Sequence, residues 1–237
     1  MSCHARRLVS LAAAVAALAA CSGGDSRPTA IAANPASAPP GTYSTTFDRN
    51  EKPLSEGGAW RRANNMWTDV QTVNGLAHGT NGLTHTYDDS YALLTGTFGA
   101  DQSIEAIVFR DQNLKPGRTH EAELLLRFSD DSSSARGYEC LFNFAGGVQI
   151  MRWNGRFGDF TELNYTQLGN LNRHLVTGDV VKATIRHNVI SMYVNGALMA
   201  RASDSTFKTG QPGISFFIGP DGSPALLGIT RYSVTSK

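Results

Sequence analysis

After residue 42, short runs in which apolar and polar residues alternate make up most of the sequence. A period of two is typical of β-strands with one buried face. Pairs that favour tight turns, such as Asn74-Gly75 and Pro116-Gly117, separate the runs. No stretch of this part sustains a helical period, so the pattern predicts an all-β domain. The candidate strands are residues 43–47, 67–73, 91–97, 103–110, 121–128, 138–144, 148–153, 161–165, 180–187, 189–194, 197–202, 213–218 and 226–234.

The clearest turn lies within ISMYVNGALMA, residues 190–200. Asn195 and Gly196 both tolerate a positive φ, which a two-residue type I′ turn requires. The runs on either side are therefore predicted to pair as antiparallel strands. Alternation along the first of them places Met192 on one face and Tyr193 on the other.

Three segments resemble the concanavalin A-like jelly-roll families, which include laminin-G-like and lectin-glucanase domains. The segments are TFDRNEKPLSEGGAWRRA, GDVVKATIRHNVISMYVNG, and DSTFKTGQPGISFF followed by a closing strand. The resemblance covers residues 43–237 and implies a two-sheet antiparallel β-sandwich. It also implies a curved sheet face of the kind that commonly holds glycan, although a fold alone does not establish a function.

The N-terminus has the features of an export signal. Arg6 and Arg7 precede an apolar stretch, residues 8–20, that is too short to span a bilayer comfortably. Residues 18–21, Leu-Ala-Ala-Cys, resemble a bacterial lipobox. This resemblance implies cleavage after residue 20 and acylation of Cys21, and Ser22 after the cysteine implies the outer membrane. An ordinary signal peptide with a chance cysteine is the alternative.

Residues 21–42 are rich in Ser, Gly, Ala and Pro and have no apolar period. Such a segment cannot cover a core and is predicted to be a flexible linker. The sequence therefore divides into a signal peptide (1–20), a lipidated cysteine with a linker (21–42) and one globular domain (43–237). Acyl chains on Cys21 would hold that domain at a membrane of the bacterial cell envelope, in contact with the periplasm or the cell surface.

Composition and charge exclude several classes of function. With 41% hydrophobic and 17% charged residues, the chain is not composed like a disordered protein. Once Arg6 and Arg7 leave with the signal, 19 basic residues remain against 20 acidic ones, so nothing indicates a nucleic-acid partner. Cys140 is then the one unmodified cysteine, and we expect it to be a small buried residue rather than a nucleophile or a zinc ligand.

Alternation along three predicted strands indicates a candidate binding face. In HEAELLLRF, residues 122, 124, 126 and 128 form an apolar row, which leaves the charged residues on the opposite face. In YECLFNF and VQIMRW, alternate residues likewise divide between a face turned to the core and the opposite face. Carboxylates, amides and aromatic rings on one surface suit sugars, whereas a plain solvated face is the alternative. The candidate ligand-binding residues are Glu123, Arg127, Glu139, Asn143, Trp153 and Tyr193.

An enzyme acting on polysaccharide is the main alternative to a carbohydrate-binding protein. Jelly-roll glycosidases of the laminarinase type carry Glu-x-Asp-x-x-Glu, which is absent here, but Glu121 and Glu123 share a face about 6.6 Å apart. The Gln-x-His strand of jelly-roll alginate lyases is absent too, while related keto-disaccharide hydrolases have only weak local signatures. A protein-interaction module with an exposed apolar patch is a third alternative. The scattered histidines are expected at the surface or in turns: His78, His85, His120, His174 and His187.

A structural calcium ion is a further hypothesis, because related folds often carry one at the edge of a sheet. Four loop or strand-end carboxylates offer suitable oxygen ligands. Asp204 has an alternative role, which is to cap a turn by accepting backbone hydrogen bonds. The candidate calcium ligands are Asp48, Asp101, Asp204 and Asp221.

Overall fold

The computed structural model describes residues 41–64, 67–80, 89–115, 120–156, 158–166, 171–219 and 223–237. The predicted signal peptide, Cys21 and the linker up to residue 40 lie outside these ranges.

Two short 3₁₀ segments occur in the described residues, Glu56–Gly58 and Pro224–Leu226, and no described helix is long and apolar enough to cross a membrane. The fifteen strands of the described residues are β1 (Thr42–Thr45), β2 (Trp60–Arg62), β3 (Thr68–Val73), β4 (Leu76–Gly79), β5 (Ser90–Leu94), β6 (Gln102–Arg110), β7 (His120–Asp130), β8 (Ala135–Asn143), β9 (Val148–Gly155), β10 (Phe160–Thr166), β11 (Val180–Arg186), β12 (Val189–Val194), β13 (Ala197–Ser203), β14 (Gln211–Ile218) and β15 (Leu227–Ser236).

The strands form two layers. Sheet I has the order β10-β9-β8-β7-β14-β5, with β2 added to β5. Sheet II has the order β4-β15-β6-β11-β12-β13, with β1 paired to β15. Strand β3 pairs with both β4 and β5 and so joins the sheets, and its short pairing with β5 is parallel. All other described pairings are antiparallel, which confirms the predicted two-sheet β-sandwich.

The core lies between the layers and follows from the alternation. Leu124 and Leu126 of β7 are fully buried, as are Ala183 and Ile185 of β11 in the opposite sheet. Removing a leucine side chain from water stabilises the fold by about 2 kcal/mol. Cys140 belongs to this core and is 0% exposed, as expected for a small apolar residue.

The β12–β13 hairpin has the predicted turn. Asn195 has φ 49° and Gly196 has φ 80°, so both central residues adopt the positive φ of a type I′ turn. The strands pair from Val194 opposite Ala197 to Val189 opposite Ser203. This turn sets the register of one edge of sheet II.

A β-bulge at Arg127 interrupts the predicted alternation of β7. The pairing with β8 shifts between Leu126 and Ser129, and Arg127 has φ 48°. An extra residue in one strand exchanges the faces of the residues beyond it. The prediction that Phe128 continues the inner apolar row is therefore wrong. Phe128 packs instead in a second apolar cluster with Tyr91, outside the main core.

Two further predictions about local structure need correction. Strands β2 and β4 were not among the predicted strands, because their short sequences, WRR and LAHG, do not alternate apolar and polar residues. His78 and His120 were expected at the surface or in turns, but they lie in β4 and β7 and are 4% and 0% exposed. His174 is half-buried and His187 is exposed, whereas His85 is outside the described residues.

Candidate functional site

The candidate site lies on the face of sheet I that is turned away from sheet II, here called the outer face. Glu121 and Glu123 of β7 project from it, and the next strand contributes Glu139. Glu123 sits between Leu141 of β8 and Ser215 of β14 in the sheet register. The alternation of three neighbouring strands thus brings carboxylates from separate segments together.

These carboxylates surround a cavity of about 270 Å³, here called the acidic cavity. Its described lining contains five carboxylates and no lysine, arginine or histidine. Asp89, Glu123 and Glu139 are buried, Glu121 is half-buried, and Glu162 is exposed at the rim. The lining residues are Asp89, Glu121, Glu123, Glu139, Leu141, Gln149, Met151, Trp153, Phe160, Glu162 and Phe217.

Trp153 is held in place at this cavity by a hydrogen bond and by other rings. Its Nε1–H donates to Glu139 Oε2 at 2.6 Å. Its ring meets those of Trp67 and Phe160 edge to face, with centroids 5.4 and 5.5 Å apart. Trp153 is only 4% exposed, so it forms part of the wall, whereas Phe160 and Phe217 are half-buried and offer more ring surface.

Burial and mutual repulsion change the acidity of the carboxylates. Burial, followed by the charges of Glu139, Asp89 and Glu121, raises the pKa of Glu123 well above its usual range. Burial raises the pKa of Glu139 to about 7, although the hydrogen bond from Trp153 opposes this change. Burial also raises the pKa of Glu121 to about 7 against the hydrogen bond from Asn143. The cavity therefore disfavours unpaired negative charge and favours protonation or a positive ligand.

The structure brings some of the predicted site residues together. Glu123, Glu139 and Trp153 all line the acidic cavity. Asn143 lies beside it and donates from Nδ2 to Glu121 Oε1 at 3.0 Å. These four residues lie on β7, β8 and β9, which are consecutive strands and immediate neighbours in sheet I.

Arg127 and Tyr193 do not join this group. The bulge turns Arg127 away, and its guanidinium donates to the carbonyl oxygens of Ala100, Phe207 and His187. Tyr193 lies on β12 of sheet II, where it lines a separate groove. The alternation of apolar and polar residues identifies the side chains that point away from the core. It does not identify the sheet to which they belong.

No protein-family model matches this sequence, and no curated protein matches it. Solved structures do match: the carbohydrate-binding module CBM66 from Bacillus subtilis aligns with TM-score 0.51 and 19% identity, over 77% of this chain and 96% of that one. The potassium-bound carbohydrate recognition domain of Emp46p aligns with TM-score 0.51 and 11% identity, over 81% and 98%. A structure described with endo-acting O-glycanases of the human gut microbiota has TM-score 0.52 and 13% identity, over 82% and 98%.

The domain has a concanavalin A-like jelly-roll fold. Within this jelly roll, sequence reasoning missed Asp89 and Phe217 as neighbours of Glu123. Asp89 precedes β5 and Phe217 lies on β14; in the sheet order β14 is next to β7, and β5 lies on the other side of β14. Glu162 of β10 was missed as well. The alternation of VQIMRW did contain a signal for Gln149 and Met151, because both share a face with Trp153.

Asp48, Asp101 and Asp204, the described aspartates among those proposed as calcium ligands, do not share a cluster of potential ligands. Asp101 lies 3.6 Å from the guanidinium of Arg127, and Asp204 pairs with Arg152 at 2.6 Å. Asp48 accepts a hydrogen bond within its own loop, and Asp221 is outside the described residues. The backbone N–H of residue 206 donates to Asp204 at 2.8 Å, as predicted for a turn cap.

Proposed function

We propose that the jelly-roll domain binds carbohydrate in the acidic cavity. The observation that carries the proposal is the lining of that cavity, where carboxylates and the Gln149 amide alternate with the rings of Phe160, Trp153 and Phe217. Sugars present hydroxyl groups at their edges and C–H groups on their faces, so such a lining suits them. About 270 Å³ is small for a ligand site, and it favours the insertion of one sugar residue over a long buried chain.

The charge of the cavity favours neutral sugars. An acidic polysaccharide would bring further negative charge beside Glu121 and Glu123, and no described basic residue lines the cavity to offset it. Among the described lining residues there is also no tyrosine or histidine that could act as the base of a lyase. The lyase alternative therefore has little support from this geometry.

The solved structures support this proposal by their names. CBM66 is described as a carbohydrate-binding module, and the Emp46p domain as a carbohydrate recognition domain. By contrast, the protein-interaction alternative requires an apolar patch. The exposed large apolar residues of the described part of the chain are Val73, Val176 and Leu198, which lie on three different segments.

A glycan array followed by calorimetric titration of the best neutral ligand tests the proposal. Trp153→Phe keeps a ring but removes the N–H that orients Glu139, and we expect it to weaken binding at least tenfold. Tyr193→Phe is the matched control, because Tyr193 lies on the other sheet, and its affinity should stay within twofold of the wild type. Absence of glycan binding, or equal effects of both substitutions, would contradict the proposal.

A glycoside hydrolase is the second candidate function. One carboxylate oxygen of Glu123 and one of Glu139 lie within 4.8 Å of each other, which is compatible with the separation of about 5–5.5 Å between the two carboxyl groups of retaining glycosidases. Reducing-end and unsaturated-product assays on the array hits test it. Reducing ends that disappear in Glu123→Gln would support a hydrolase, and binding without any product would support a binding protein.

We also propose that acylated Cys21 anchors the protein at the bacterial envelope, most simply in the outer membrane. The support is the lipobox resemblance of residues 18–21 and the linker that follows. Replacing Cys21 with Ser should move the protein from the membrane fraction to the periplasmic or medium fraction. A Cys21→Ser protein that stays in the membrane fraction would overturn this proposal.

A further inference from the structure

Three buried carboxylates of the acidic cavity meet at one point. Asp89 precedes β5, Glu123 lies on β7 and Glu139 lies on β8, and these residues are 8%, 2% and 5% exposed. One oxygen from each carboxylate lies within 4.8 Å of the others. Three acidic groups at such distances repel one another strongly unless a positive charge or protons offset them.

The side chain of Glu123 gives an independent indication of a ligand. Its Oε2 has no hydrogen-bond partner among the described residues, although the residue is almost completely buried in the cavity wall. A buried carboxylate oxygen without a partner costs free energy comparable to a lost charged hydrogen bond, about 1–3 kcal/mol or more. Native structures contain few such atoms, and a bound ion or water or a catalytic role explains many of them.

The neighbours of the three carboxylates indicate the charge of that ligand. The Trp153 indole donates to Oε2 of Glu139 and leaves the other oxygen of that carboxylate for a ligand. No described lysine, arginine or histidine lines the cavity. From this arrangement we infer that Asp89, Glu123 and Glu139 bind a divalent cation.

The distances among the three carboxylates are compatible with a calcium ion. Ca²⁺ binds oxygen at about 2.3–2.6 Å, so two oxygens on one ion lie up to about 5 Å apart. Mg²⁺ binds at about 2.0–2.1 Å, which brings its ligands to within about 4.2 Å of each other. The three carboxylate oxygens lie within 4.8 Å of one another, which is compatible with three ligands on one calcium ion. This position is on the outer face of sheet I, not at the sheet edge where the sequence indicated Asp101 and Asp204.

Three carboxylates leave several of the six to eight positions around calcium for other oxygens. The cavity is open to the rim formed by Glu162 and Phe160, so water or sugar hydroxyl groups can reach the ion. The contact with sugar rests on the proposed function, whereas the cation site itself does not. Each can therefore fail without the other.

Calorimetric titration of CaCl₂ into the full chain, purified in detergent and treated with EDTA, tests the site. We expect one calcium ion per protein and a loss of affinity of at least tenfold in Glu123→Gln. Glu162→Gln is the matched control, because Glu162 lines the same cavity outside the group of three, and its affinity should stay within threefold. A wild-type protein that binds no calcium at millimolar concentration, or a Glu123→Gln protein with unchanged affinity, would overturn the proposal.

Thermal unfolding provides a second measurement of calcium binding, which covers the case that one variant folds poorly. Calcium should raise the Tm of the wild type and of Glu162→Gln but not that of Glu123→Gln. If Glu123→Gln does not fold, Glu139→Gln should show the same loss of calcium response, and an unchanged response would overturn the site. Glycan titrations with and without EDTA separate the two proposals, since glycan binding by a protein that binds no calcium contradicts only the cation site.

Discussion

At the scale of single residues, Arg127 illustrates how a charged side chain changes its role when a bulge turns it. Its Nε donates to the Ala100 carbonyl at 2.7 Å, Nη1 to Phe207 at 2.9 Å and Nη2 to His187 at 2.7 Å. These carbonyl groups precede β6, follow β13 and join β11 to β12. A single buried guanidinium therefore links three loops, and its role is structural.

We predict that Arg127→Met destabilises the domain by about 3–5 kcal/mol, because three carbonyl groups lose their donor at once. Urea unfolding followed by tryptophan fluorescence measures the effect. Arg186→Met, at an exposed arginine of β11, is the control and should change the free energy of unfolding by less than about 0.5 kcal/mol. If Arg127→Met remains as stable as the control but loses glycan binding, Arg127 belongs to the binding site after all.

The carboxylate of Asp204 makes the stability of the domain depend on pH in the acid range. Burial alone would raise its pKa, but hydrogen bonds from Tyr138, Thr206 and Arg152 outweigh burial and lower the pKa to about 2. A carboxylate with a lower pKa in the folded state stabilises it above pH 4 and loses this effect as the pH falls towards 2. Asp204→Asn should therefore cost about 2 kcal/mol at pH 7, and the difference from the wild type should vanish near pH 2. Urea unfolding of both proteins across this range would contradict the account if the difference did not depend on pH.

At the scale of elements, the sequence predicts strands and turns well where the alternation is regular. It identifies the β12–β13 hairpin from Asn195-Gly196, because few residue pairs accept two positive φ angles. It does not predict the bulge at Arg127, since ELLLRF reads as a continuous alternating strand. It also does not predict β2 and β4, because neither WRR nor LAHG alternates apolar and polar residues.

Replacing Gly196 tests the importance of the hairpin turn. Gly196 has φ 80°, and a Cβ at this position would meet nothing within 4 Å, so backbone strain is the main cost of a substitution. We predict that Gly196→Val lowers the free energy of unfolding by about 1–2 kcal/mol, while Gly196→Asn, whose side chain tolerates a positive φ, changes it by less than about 0.5 kcal/mol. Thermal unfolding of the two variants checks this. Equal stability of Gly196→Val and the wild type would mean that the turn relaxes to another type.

At the scale of the whole molecule, the order of strands decides which side chains share a site. Glu123, Glu139 and Trp153 were predictable as a group because β7, β8 and β9 follow one another in the chain and in sheet I. Asp89 was not predictable, because β14 lies between β7 and β5 and only the tertiary fold brings them together. The sequence also places Tyr193 on this surface, which is wrong. Alternation shows only that its side chain points away from the core, and such a side chain can belong to either sheet.

We expect sugar to bind in the acidic cavity rather than on another surface of the jelly roll. A crystal structure of the protein with the best neutral glycan from the array would locate the bound sugar. We expect a sugar residue in the cavity, with hydroxyl groups within about 3.2 Å of the carboxylate oxygens of Glu121 or Glu139. The same glycan bound in the groove of sheet II beside Tyr193, with the acidic cavity free of sugar, would contradict it.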